Sequence, residues 1–124
     1  MPKGNGGSAH LLVGGKLTCE SGLHVDERKI REYLLNSKHQ FGAGKAAYFE
    51  QRGFSLEDWE VLREALLSHG KTSKITNIEK HDYGTKIVVE CMLSSPAGND
   101  HCIRSVWNCH GDGTPVRLIT AHPL

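Results

Sequence analysis

At 124 residues the chain has room for one domain and no comfortable room for two. A chain of this size buries roughly two-thirds of its unfolded surface, so a packed core needs no disulfide or metal staple. The formal net charge is +1, from 15 Lys and Arg against 14 Asp and Glu. That balance excludes a general field able to gather nucleic acid or acidic lipid, so any polyanion site must be local.

No apolar run is long enough to span a bilayer, and no membrane binding by the domain is expected. The opening residues, with Gly4, Gly6, Gly7 and Ser8, lack the apolar core of a secretory signal. They read as a flexible leader, or as the point where the domain is cut from a longer chain. Residues 11–18, with Leu11-Leu12-Val13, Gly14-Gly15 and Lys16-Leu17-Thr18, read as a short hairpin or an arm. Residues 1–24 thus stand apart from a domain spanning 25–124.

Asp26 is a plausible N-cap for a first helix running to about Leu35. Ile30, Tyr33 and Leu34 recur at helical spacing, and Glu27, Arg28, Lys29, Arg31 and Glu32 form its solvated face. Asn36-Ser37 ends it. The loop from Lys38 to Gly44 carries Gly42 and Gly44, where backbone can approach a ligand. A second helix is predicted from Gly44 to Arg52, stopped by Gly53, with Ala46, Ala47 and Phe49 facing inward. Ser55-Leu56-Glu57-Asp58 has the form of a capping box and opens a third helix. Leu56, Trp59, Leu62, Leu66 and Leu67 form its apolar stripe, and Gly70 ends it.

After Gly70 the period changes to alternation. Strands are predicted at 74–80, 86–93, 101–109 and 116–121. They are separated by the turn at Asp82-Tyr83-Gly84, the Pro96 and Gly98 loop, and Gly111-Asp112-Gly113. Short connections favour antiparallel neighbours, which gives an α+β domain: N-terminal helices packed on a C-terminal four-stranded antiparallel sheet.

Several chemistries are missing. Neither half of the zinc deaminase signature is present, and no metalloprotease helix, Walker loop or nucleophile elbow occurs. The four cysteines, Cys19, Cys91, Cys102 and Cys109, form no C-x-x-C pair, and they read as buried thiols rather than disulfides, consistent with action in the cytoplasm. His101, Cys102, Cys109 and His110 have zinc-ligand chemistry but poor spacing, with one residue of each pair, such as Cys102 and His110, left to meet across a site. No metal and no cofactor is expected.

With the core residues removed, a polar set remains: His39, Lys45, Arg104, Ser105, Trp107, Arg117 and Thr120. His39 and Lys45 flank the glycine-containing loop at the second helix's N-terminus, where free N–H groups and the dipole favour an anion. Lys45 adds a point charge for phosphate, and His39 can move a proton near neutral pH. That is the minimum kit for metal-free RNA cleavage through attack of a 2′-hydroxyl on the adjacent phosphorus. Taken singly, each residue also has a plain structural role: solvated loop His39, surface Lys45, core Trp107, strand-forming Thr120 and solubilising Arg104 and Arg117.

The run from Leu35 to Phe49, followed by Gly53-Phe54, resembles a bacterial domain family with an L-N-x-x-H-x-x-G-x-x-K-A-x-x-F motif. Further marks of that family are Tyr83-Gly84, Pro96-Ala97-Gly98, Val106-Trp107 and the segment from Leu118 to Pro123, so the likeness covers most of 26–123. Such domains look like the C-terminal warheads of polymorphic and contact-dependent toxins, or like toxin–antitoxin partners, and their shape is similar to the barnase, EndoU, colicin and RelE ribonucleases. The resemblance implies metal-independent cutting of RNA, often tRNA, in the bacterial cytoplasm after delivery, with a cognate immunity protein or antitoxin covering the site. It singles out His39, Lys45, Trp107 and Thr120.

Together these readings make His39, Lys45 and Thr120 the catalytic candidates, and Arg104, Ser105, Trp107 and Arg117 the substrate-binding ones. The rival expectations are a non-enzymatic interaction module, an antitoxin or immunity protein, and a small zinc-stabilised domain.

Overall fold

A computed structural model describes residues 11–40, 42–98 and 100–124. Its sheet is not the four-stranded antiparallel meander predicted above. Five strands lie in the order β1-β5-β4-β3-β2, and the sheet is mixed. Strands β2 (Lys74–His81), β3 (Gly84–Leu93), β4 (His101–Cys109) and β5 (Val116–Pro123) do form an antiparallel meander. The fifth strand is β1 (Leu23–His24), which adds parallel to β5 by pairing Leu23 with Val116 and His24 with Arg117. Two residues are too few to show an alternating pattern, which is why the sequence hides this strand.

The segment preceding β1 does not make a hairpin of its own. Gly14 N–H donates to the Ile75 carbonyl, Ile75 N–H donates back to Gly15, and Leu17 is buried in the core. Residues 1–10 of the proposed leader lie outside the described residues.

Asp26 caps the first helix as expected, its carboxylate accepting from Arg28 N–H. The α-helical part, α1 (Glu27–Lys29), widens at once into a π-helical stretch, Ile30–Leu34, which closes with Leu35 N–H on the Ile30 carbonyl. The wider turn lets both Ile30 and Leu34 reach the core while Tyr33 stays at its margin. Helix α2 (Ala43–Gln51) buries Ala46 and Phe49, whereas Ala47 faces solvent.

The third helix does not open at Ser55: α3 (Trp59–Thr72) begins after Asp58, Ser55 Oγ accepts from Asp58 N–H in the turn before it, and Leu56 is exposed rather than part of the apolar stripe. The helix does not stop at Gly70. A Cβ there would sit 2.6 Å from Trp107 Cζ2 and 2.9 Å from Leu23 Cδ2, so this glycine makes room for the indole inside the helix.

The three helices cover one sheet face. Leu34, Phe49, Leu62 and Leu66 share a single core with Ile87, Val89, Ile103, Trp107 and Leu118. Inside it lies one polar chain: Trp107 Nε1–H donates to Ser105 Oγ (2.8 Å), which lies 2.9 Å from His69 Nδ1, while His69 Nε2 is 3.0 Å from the Cys91 carbonyl. With the His69 proton on Nε2, every member has a partner, as buried polar groups require.

Two expectations about cysteine fail. Cys91 and Cys102 form a disulfide, while Cys109 is a buried thiol and Cys19 a half-buried one. Cys91 pairs with Ile103 and Cys102 with Met92 on adjoining strands, and the two cysteine Cα atoms lie 4.1 Å apart. His101-Cys102 and Cys109-His110 lie at opposite ends of β4, roughly 25 Å apart at strand rise, so they cannot share one ion. Among the described residues, no helix is long and apolar enough to cross a membrane.

Candidate functional site

The junction between α1, its π-helical extension and the β1–β5 margin holds an open cleft of about 880 Å³. His24 comes from β1, Asp26, Arg28 and Lys29 from the helix start, Tyr33 from the π-turn, His39 from the following loop, and Arg117 and Thr120 from β5.

Thr120 reaches this cleft because of a bulge. Val106 pairs with Thr120 and Trp107 with Leu118, so Ile119 is an extra residue in β5. In a regular strand Leu118 and Thr120 would share a face. The bulge instead lets Leu118 and Ala121 both enter the core and turns Thr120 to the margin. There its hydroxyl lies 3.3 Å from Tyr33 Oη.

Tyr33 is the centre of the arrangement, although at sequence level it reads as a core residue. The His39 ring meets it edge to face with centroids 4.9 Å apart. Lys45 Nζ lies 5.2 Å and Lys29 Nζ 5.4 Å from the ring centre, within cation–π range. Partial burial pushes the phenol's pKa up, but hydrogen bonds with Lys45 and Thr120, and the charges of Lys45 and Lys29, more than offset it and leave it below the ordinary value.

The loop geometry fixes the histidine. Gly42 N–H donates to His39 Nδ1 at 3.0 Å, so that nitrogen keeps its lone pair and the neutral ring carries its proton on Nε2. Ala43 N–H donates to the His39 carbonyl. These donors at the start of α2 are therefore committed to His39, rather than open to an anion as the sequence suggested. Gly42 is needed because a Cβ there would overlap the Tyr33 carbonyl oxygen and crowd its Cδ1 at 3.1 Å.

Of the seven candidates, the structure gathers His39, Lys45 and Thr120 around Tyr33, with Arg117 lining the same cleft. Arg104 lies apart on the helix-free sheet face, where its Nε is 2.6 Å from Glu90. Ser105 and Trp107 are both 0% exposed, and their polar atoms are spent on each other and on His69. Tyr33, Lys29 and His24 are the residues that sequence reasoning missed. The available signal was Tyr33 itself, a phenol beside Lys29 in a stripe otherwise made of Ile30 and Leu34.

Residues 16–124 match the model of the family described as domain of unknown function DUF6883. The chain belongs to that family. No curated protein sequence matches it. Among solved structures it is similar to a chain of a contact-dependent growth inhibition toxin–immunity protein complex from Klebsiella pneumoniae 342. The two superpose with a TM-score of 0.65 at 19% identity, covering 81% of this chain and 98% of the other. At that identity the likeness is one of fold.

Proposed function

We propose that this DUF6883 domain is a metal-independent endoribonuclease toxin, delivered as part of a contact-dependent or related system and held in check by a cognate immunity protein. The observation that carries the reading is the convergence of His39, Lys45 and Thr120, from three separate segments, on Tyr33, beside a cleft lined by Arg28, Lys29 and Arg117 together with Asp26 and Glu32. The fold shared with the Klebsiella toxin–immunity complex supports the biological setting.

In this scheme the Tyr33 phenolate takes the 2′-hydroxyl proton of the substrate. The 2′-oxygen bonds to the adjacent phosphorus and the bond to the 5′-oxygen breaks, leaving a 2′,3′-cyclic phosphate. Solvent water protonates the departing 5′-oxygen to a hydroxyl, and the hydroxide formed takes the proton back from the Tyr33 phenol. Lys45 holds the phenolate form and, with Arg117, faces the charge that builds on the phosphorane. Thr120 orients the phenol through its hydroxyl. His39, with its proton on Nε2, donates a hydrogen bond to the phosphoryl group rather than acting as the base. tRNA is the first RNA to examine.

The test is to express the wild type, Tyr33→Phe and His39→Ala without a partner gene and to examine total RNA on a gel. Purified protein is then assayed in EDTA. Growth arrest with discrete fragments in the wild type alone is expected. Harmless expression and intact RNA in all three would overturn the nuclease and favour a non-enzymatic partner in a toxin–immunity pair, a role that the same structural likeness also accommodates.

A further inference from the structure

Ser105 and Trp107 are sealed in the core, so the cleft needs another group to hold the base of an RNA substrate. The turn between β2 and β3 supplies a candidate. Tyr83 is 68% exposed, and its ring stacks on His81 with centroids 5.2 Å apart and planes 7° from parallel. One ring face is thus backed by imidazole while most of the side chain remains accessible. An aromatic this exposed on a tight turn contributes little to a core, which leaves its outer ring face open to a ligand.

The turn is built to keep that ring in place. Gly84 has φ +134°, and a Cβ there would lie 2.7 Å from the Cys109 carbonyl, so the β2–β3 turn presses directly on the end of β4. Asn108, nearly buried, points its amide nitrogen at the Tyr83 carbonyl (3.5 Å) and at His110 Nε2 (3.3 Å).

Beside the Tyr83–His81 pair lies a mostly apolar groove of about 500 Å³, lined also by Lys86, His110, Ile119 and Thr120. Ile119 and Thr120 also line the cation-bearing cleft of Tyr33 and His39. The β5 bulge is therefore a shared wall between the Tyr33–His39 cleft and this apolar groove.

We infer that the Tyr83–His81 pair is a stacking platform for an unpaired nucleobase of single-stranded RNA, held next to the phosphate cut in the neighbouring cleft. The assignment rests on the ribonuclease reading for its substrate, but the geometry of the platform is independent of it. Stacking on an aromatic face tolerates every base, so the platform sets strand state (unpaired rather than duplex) more than sequence.

Two measurements separate this inference from the catalytic one. Binding of a short fluorescent 2′-O-methyl oligonucleotide, which cannot be cleaved by 2′-hydroxyl attack, is followed by anisotropy for the wild type, Tyr83→Ala, Tyr83→Phe and Tyr83→Trp. Cleavage of the matching RNA is followed in parallel. Tyr83→Ala is expected to weaken binding by about 5- to 150-fold, with Phe and Trp close to wild type. The cleavage loss should fall mainly in KM. Binding that depends on Tyr83 without cleavage by the wild type would leave the platform standing and sink the nuclease. Cleavage that is indifferent to Tyr83→Ala, or a wild type that binds no oligonucleotide, would overturn the platform and leave this face to a protein partner.

Discussion

Replacing Tyr33 with Phe removes one oxygen and leaves the ring contacts with His39, Lys29 and Lys45 in place. The phenol's hydrogen bonds to Lys45 and to Thr120 are lost, the latter long at 3.3 Å and only part-buried. Together they contribute about 1–2 kcal/mol to stability. A melting shift of roughly 4–8 °C follows for a domain of this size. The chemical step should lose far more: removing a positioned general base costs about 10²- to 10⁴-fold, or roughly 3–5 kcal/mol of barrier. The pH profile gives the sharper test. Lys45 and Thr120 hold the phenol below its ordinary value of 10.0, so the wild-type rate should rise with pH along a limb that ends below that value. That limb should vanish in Tyr33→Phe and move upward in Lys45→Met, where the lowering charge is gone. Initial rates on single-stranded RNA across a pH series, in EDTA, read all three. A Tyr33→Phe enzyme within about threefold of wild type, with the same limb, would refute the role given to the phenol.

Gly42→Ala should destabilise the domain by about 1–3 kcal/mol in urea denaturation, because the new methyl meets the Tyr33 carbonyl, which belongs to the backbone and cannot swing away. The same change should displace His39 and lower activity further than stability alone explains. Burial holds His69 neutral below its ordinary value of 6.5, outweighing its backbone contacts at Cys91 and Ile103. The unfolded chain therefore binds a proton first as pH falls. Stability should decline below about pH 6.5 by up to ~1.4 kcal/mol per pH unit, and levels off once pH passes the folded value. His69→Gln should flatten that dependence in pH-resolved urea midpoints. Reducing the Cys91–Cys102 bridge, which closes a sequence separation of 11, should cost up to about 3 kcal/mol, checked by denaturation with and without reductant.

What could be read from the chain follows from where periodicity is long enough to speak. The meander from Lys74 to Pro123 alternates over strands of eight to ten residues, and β4 runs from His101 to Cys109 as its alternation requires. The Asp26 cap and the stop of the second helix at Gly53 were equally legible, since each rests on local chemistry. Long-range events were not. Leu23–His24 joins the sheet only because Val116 and Arg117 offer an open edge, and Gly70 reads as a helix stop until Trp107 is known to lie against it.

The site shows the same division in one place. His39, Lys45 and Thr120 could be named because imidazole, ammonium and hydroxyl advertise their chemistry. Their common neighbour could not, because Tyr33 sits at helical spacing with Ile30 and Leu34 and satisfies the core pattern equally well. Only the π-turn and the Ile119 bulge, two departures from regular geometry, separate the phenol from the core and bring Thr120 to it. Both irregularities cost regular hydrogen bonding, and both aim a side chain into the same cleft. Deleting Ile119 should regularise β5 with Leu118 still opposite Trp107 and Thr120 still opposite Val106, removing the local bend that turns the Thr120 hydroxyl to Tyr33 and so breaking that contact. A meander kept intact, with the Tyr33 pH limb moved upward, is the signature of a bulge that serves the site rather than the fold.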